Sequence, residues 1–116
     1  MRRLFKSLTH AGKGILFTLR NERNFQVEVI VALLVLLFMV WLPITSLEQL
    51  VLILAIVLVL SLELINTAVE RVMDILKPRV HPYARVVKDV MAGAVFVVSF
   101  GAFILGLVIF LPYLIR

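Results

Sequence analysis

Three stretches of this 116-residue chain carry no Asp, Glu, Lys or Arg: Val29–Leu47, Gln49–Leu62 and Val90–Ile115. About 20 mostly apolar residues at ~1.5 Å each cross roughly 30 Å of hydrocarbon. The charge-free stretches therefore predict an all-α integral membrane protein with three transmembrane helices, near residues 25–43, 47–67 and 86–111. The second helix is expected to continue past the membrane to about residue 77. Composition agrees, because 63% of the residues are hydrophobic, against about 45–50% in ordinary globular chains. The length suits a single domain, 1–116. There is no cysteine, which excludes a disulfide framework and a thiolate metal site.

The cations give the spans a direction. Of twelve Lys and Arg, six precede the first span (Arg2, Arg3, Lys6, Lys13, Arg20, Arg23) and five lie between the second and third (Arg71, Lys77, Arg79, Arg85, Lys88). The turn PITSLEQ has none. By the positive-inside rule the N-terminus and the second loop face the cytoplasm, and the turn and C-terminus face out. The four prolines, Pro43, Pro78, Pro82 and Pro112, all fall at expected helix ends, where a missing N–H costs least. Residues 1–24 interleave Leu4, Phe5, Leu8, Ile15, Leu16 and Leu19 with cations. This predicts an amphipathic helix on the inner leaflet, interrupted or kinked near Gly12 and Gly14. No compact apolar core or small-residue cleavage site follows the N-terminal charges, so no cleaved leader is expected. No nucleic-acid partner is expected either.

The second span ends in SLELINTAVERVMD, Ser61–Asp74. At ~100° per residue, Asn66, Glu70 and Asp74 lie about 300°, 340° and 20° around the helix from Glu63, one stripe about 80° wide. Counted from Leu47, Glu63 lies ~24 Å into the membrane, just beneath the cytoplasmic boundary, with Glu70 and Asp74 beyond it. Glu70 and Asp74 repel each other by ~0.2–0.5 kcal/mol as an i,i+4 pair. On the helix itself only Asp74 has a cationic neighbour, Lys77. Compensation must come from another helix, a metal ion or protonation. The plainer reading is a set of structural ion pairs, but intramembrane carboxylates are functional by default. Hard oxygen donors without cysteine favour Mg²⁺, which takes one or two carboxylates and completes its shell with water and nucleotide phosphates.

The third span opens with ARVVKDVMAGA, which places Arg85, Lys88 and Asp89 on one helical face at the same boundary. Lys88 could hold a phosphate or snorkel to headgroups; opposite an acidic stripe, phosphate gains weight. AGKGI is not a phosphate loop, since the GxxxxGK[ST] spacing and the preceding strand are both missing. His10 and His81 each stand alone and read as interface residues. Ala92, Gly93, Gly101, Ala102 and Gly106 permit close helix approach.

The stretch ELINTAVERVMD is identified as the Glu-x-x-Asn-[Ser/Thr]-Ala-x-Glu-x-x-x-Asp signature of the small prokaryotic diacylglycerol kinase family. KDVMAGAV resembles its Lys-Asp followed by small residues. FKSLTHAGKGI, ERNFQVE and VIFLP resemble its Gram-positive branch, which phosphorylates undecaprenol. The resemblance covers nearly the whole chain, with no departure at the polar positions. It implies a homotrimer of three-span protomers, with composite sites between subunits at the cytoplasmic face and with MgATP as phosphoryl donor. It implies Glu63 as the catalytic base and Glu22 and Glu70 as carboxylates for the Mg²⁺ that accompanies ATP. Asn66 and Asp74 become polar support of the site. His10, Lys88, Asp89 and the segment Arg79, Val80 and His81 become nucleotide contacts, and Arg3 and Glu28 lie near the lipid substrate.

The expected activity is ATP-dependent phosphorylation of undecaprenol, with diacylglycerol as the alternative acceptor. Two readings of other classes stand beside it. A small proton-coupled transporter would explain Glu63 but leaves Glu70, Asp74 and Lys88 without a task. A non-catalytic membrane scaffold would leave the whole stripe without one.

Overall fold

The computed structural model describes residues 1–76 and 82–115. Four helices follow one another: α1 (Arg2–Asn21), α2 (Arg23–Trp41), α3 (Ser46–Leu76) and α4 (Tyr83–Leu114). The last three are long and apolar enough to cross a membrane. With 31 and 32 residues, α3 and α4 reach about 46–48 Å and overhang a ~30 Å hydrocarbon layer. The polar second half of α3 is thereby held in the same rigid rod as its apolar first half.

The helix ends at Glu22, Pro43 and Thr45 have chemical causes. The chain breaks between α1 and α2 at Glu22, whose backbone is extended (φ −115°, ψ 113°). Side-chain amides donate to carbonyls of the last turns of α1. The Asn21 amide donates to the Phe17 carbonyl at 2.8 Å and the Gln26 amide to the Leu19 carbonyl at 2.8 Å. Pro43 follows the end of α2, where it has no N–H to continue a helix. A capping box then starts α3: the Glu48 N–H donates to the Thr45 hydroxyl at 3.1 Å, and the Thr45 N–H donates to the Glu48 carboxylate at 2.9 Å.

Helix α3 is central. It packs against α4 and α2, whereas the backbones of α2 and α4 do not approach each other. At one end the three are fastened together. Met39, Ile44, Leu52, Ile109 and Phe110 form a buried cluster. Phe38 meets Phe110 edge-on at 5.8 Å between centroids, and the Tyr113 hydroxyl donates to Glu48 at 2.8 Å. Most other large apolar side chains on the three helices are exposed, as lipid-facing surfaces must be.

Three expectations need correction or placing. Helix α1 runs unbroken through Gly12 and Gly14; the first break comes at Glu22. A glycine lowers helix propensity by about 1 kcal/mol, which a continuous 20-residue helix tolerates. Pro112 lies inside the last turn of α4 rather than beyond it; only a short helical end remains to be disturbed. Pro78 lies outside the described residues. The glycines of α4 make no close approach within the described residues, since a Cβ added at Gly93, Gly101 or Gly106 meets nothing within 4 Å.

Added Cβ atoms at Gly12 and Gly14 also meet nothing within 4 Å. We therefore expect Gly12→Ala and Gly14→Ala to stabilise α1 by about 0.5–1 kcal/mol each. Circular dichroism during thermal unfolding checks this; reduced helicity would mean that the glycines are needed as a break.

Candidate active site at the polar end of α3

The acidic stripe faces inward where it matters. Glu63 is only 2% exposed, and its neighbours Asn66 (8%) and Thr67 (4%) are also buried. The Thr67 hydroxyl donates to the Glu63 backbone carbonyl at 2.9 Å. That bond occupies the threonine within the helix and leaves the Glu63 side chain to other partners. One carboxyl oxygen of Glu63, Oε2, has no hydrogen-bond partner among the described residues, and neither has Oε1 of Glu28 on α2. Buried polar atoms are nearly always satisfied, so two unsatisfied carboxyl oxygens in one region point to a missing partner.

The carboxylates form one electrostatic unit. Like-charge repulsion reaches Glu63 from Glu22 and Glu70, and reaches Glu28 from Glu63. Two helices and one elbow therefore contribute: the α1–α2 elbow brings Glu22, α2 brings Glu28, and α3 brings Glu63 and Glu70. The Asn66 amide donates to Glu70 Oε1 at 2.8 Å and also interacts with Glu63. Arg71 donates to Glu22 at 2.9 Å. From α4, Lys88 donates to Asp74 at 3.1 Å.

The helices bring some predicted residues together and leave others apart. Glu22, Glu28, Glu63, Asn66 and Glu70 assemble, and Lys88 joins the end of the stripe through Asp74. Asp89 is exposed on α4. Arg3 and His10 are exposed on α1, about 28 and 18 Å along the chain axis from Glu22 at ~1.5 Å per residue. Within one chain they do not reach the carboxylates. Arg79, Val80 and His81 lie outside the described residues, as does Lys77. Sequence reading missed Arg71 and Thr67. Arg71 stands 49 positions from Glu22, so no helical spacing relates the two. A count of acids lacking a helical counterion was the available signal.

Among the described residues no three His or acidic side chains form a ready-made metal cage. The donor set nevertheless suits Mg²⁺ delivered with phosphates: two hard carboxylates, Glu22 and Glu70, on separate elements. Below them an apolar groove of about 460 Å³ runs between α2 and α4, floored by α3, with Glu28 as its one charged lining residue among those described.

The sequence that builds this site has known counterparts. A sequence model of prokaryotic diacylglycerol kinase matches residues 9–110. The chain belongs to this family of lipid kinases. It is 43% identical over 114 residues to the undecaprenol kinase of Bacillus subtilis, covering 98% of this chain and 93% of that protein. It is 33% identical over 113 residues to a diacylglycerol kinase of Synechocystis, covering 97% and 65%. The diacylglycerol kinase of Escherichia coli is 28% identical over 95 residues, 82% of this chain and 78% of that protein. Membership in a lipid kinase family leaves the transporter and scaffold readings without support.

A hydrogen bond to a charged acceptor contributes ~1.5–3 kcal/mol. Asn66→Ala, which frees Glu70, is expected to lower kcat/KM for lipid phosphorylation about 10- to 100-fold with unchanged helicity. Initial rates together with far-UV circular dichroism check this.

Proposed function

We propose that this chain transfers the γ-phosphoryl group of MgATP to the hydroxyl of undecaprenol, at the cytoplasmic face of the cell membrane. The observation that carries the proposal is Glu63, a buried carboxylate with an unsatisfied oxygen. It lies on the helix that runs from the hydrocarbon to the polar end. A lipid alcohol keeps its hydroxyl near the headgroup plane and its tail in hydrocarbon, while ATP stays in water. Only an element crossing that boundary can serve both, and α3 does.

The chemistry follows from the placement. The lipid hydroxyl oxygen attacks the γ-phosphorus in line, the bond to the β–γ bridging oxygen breaks, and the hydroxyl proton passes to Glu63. The products are lipid phosphate and ADP. Glu22 and Glu70 would hold Mg²⁺, which neutralises phosphate charge when bound with the nucleotide. Asn66 orients Glu70. Asp74 keeps Lys88 beside the stripe, from which its ammonium can turn to phosphate. The groove suits a lipid chain, and Glu28 at its edge suits the polar head.

The proposal extends to the assembly. One protomer leaves the orphan oxygens of Glu28 and Glu63 without donors among the described residues, and leaves Arg3 and His10 away from the acids. A homotrimer with sites between subunits would bring a neighbour's residues to the gap. Helix α1 would lie on the inner leaflet, its exposed Leu4, Phe5 and Leu8 in the acyl boundary and its cations at anionic headgroups. The positive-inside distribution supports a cytoplasmic N-terminus.

Undecaprenol is favoured over diacylglycerol because the relative named for it is 43% identical across nearly the whole chain, against 33% and 28% for two relatives named for diacylglycerol. The test is transfer of labelled γ-phosphate from MgATP to both lipids by purified protein. Undecaprenol is expected to be the preferred acceptor, and Glu63→Gln to lower the rate about 10²–10⁴-fold. Preference for diacylglycerol would overturn the substrate, and full activity of Glu63→Gln would overturn the mechanism.

A further inference from the structure

Arg71 occupies a position that the signature leaves open, directly after Glu70. It nevertheless makes two contacts off its own helix. Its guanidinium donates to Glu22 at 2.9 Å, and its Cζ lies 5.3 Å from the centroid of the Phe17 ring on α1. We propose that Arg71 is a displaceable counterion for Glu22, which holds this carboxylate in place before the divalent cation arrives and competes with the cation for it. The proposal rests on the reading of Glu22 as a metal carboxylate.

Four observations support it. Glu22 lies in the single extended residue between α1 and α2, so no helical neighbour fixes its side chain. It also stands in the field of Glu63, and without a counterion the two acids would push apart. The pair is weak enough to open: the side chains of Arg71 and Glu22 are 47% and 23% exposed, and solvent-screened ion pairs contribute little. An ion of twice the charge can displace such a partner. Finally, the Phe17 face gives the guanidinium a place to stay once Glu22 is taken. Release therefore strands no charge in an apolar site. Asp74 and Lys88 do not repeat this arrangement, because both lie on long helices that fix them without an elbow.

The test measures binding rather than turnover. Calorimetry follows the Mn²⁺ complex of a non-hydrolysable ATP analogue binding to the full chain in detergent, without lipid substrate. Arg71→Met is expected to tighten binding about two- to fivefold, the range an exposed ion pair allows. Arg71→Lys should stay near the parent value. Glu22→Gln should weaken binding, and adding Arg71→Met to it should change nothing further. If Glu22→Gln weakens binding but Arg71→Met leaves it unchanged or weaker, the counterion role is wrong while the metal site stands. If Glu22→Gln has no effect, the reading of Glu22 itself fails. Thermal unfolding in EDTA identifies a variant that has lost its fold, in which case Arg71→Gln carries the comparison.

Discussion

A carboxyl group that water barely reaches, one of whose oxygens no described donor satisfies, sets the terms for the rest of the molecule. Glu63 is 2% exposed, and one of its oxygens is unpartnered. An arrangement like this persists only if the surrounding structure holds it, because an unsatisfied buried polar group destabilises by ~1–3 kcal/mol or more. The holding element is α3, whose apolar first half is anchored between α2 and α4 at the far end of the bundle. The Thr45–Glu48 capping box and the Tyr113 hydroxyl fix where that helix begins. Helical geometry then fixes where Glu63 arrives, one rigid rod later.

The acids around Glu63 are managed by partners reaching across helices rather than along them. Arg71 takes Glu22 and Lys88 takes Asp74; only Asn66 serves an acid, Glu70, from its own helix. Each of these partners is polar and at least partly accessible, apart from Asn66. The cluster is therefore compact without being locked, which is what a site needs if its carboxylates are to exchange one set of partners for another during a reaction cycle.

Much of this was legible in the sequence because the membrane imposes simple rules. Absence of charge marks three apolar stretches, and each falls largely on one of the three long helices. The stripe Glu63, Asn66, Glu70 and Asp74 follows from helical periodicity alone, and three of its members face partners as that periodicity requires. What stayed hidden are the contacts between helices. Tyr113 and Glu48 are 65 positions apart and Arg71 and Glu22 are 49 apart; no local spacing encodes either pair. Gly12 and Gly14 misled for a different reason. Glycine lowers helix propensity without forbidding a helix, so its presence alone does not locate a break. Helix α1 ends instead at the extended Glu22, where the Gln26 amide takes the Leu19 carbonyl.

The splay between α2 and α4 has a kinetic consequence. The groove is open along its side, with Val31 and Phe103 at its rims 51% and 62% exposed. A chain-like lipid could slide in edgewise from the surrounding leaflet without first being lifted into water. Encounter would then be two-dimensional, and saturation would follow the mole fraction of substrate in the bilayer, not its amount per volume of suspension. Diluting the membrane with inert lipid would slow such an enzyme, whereas diluting the vesicles in buffer would not.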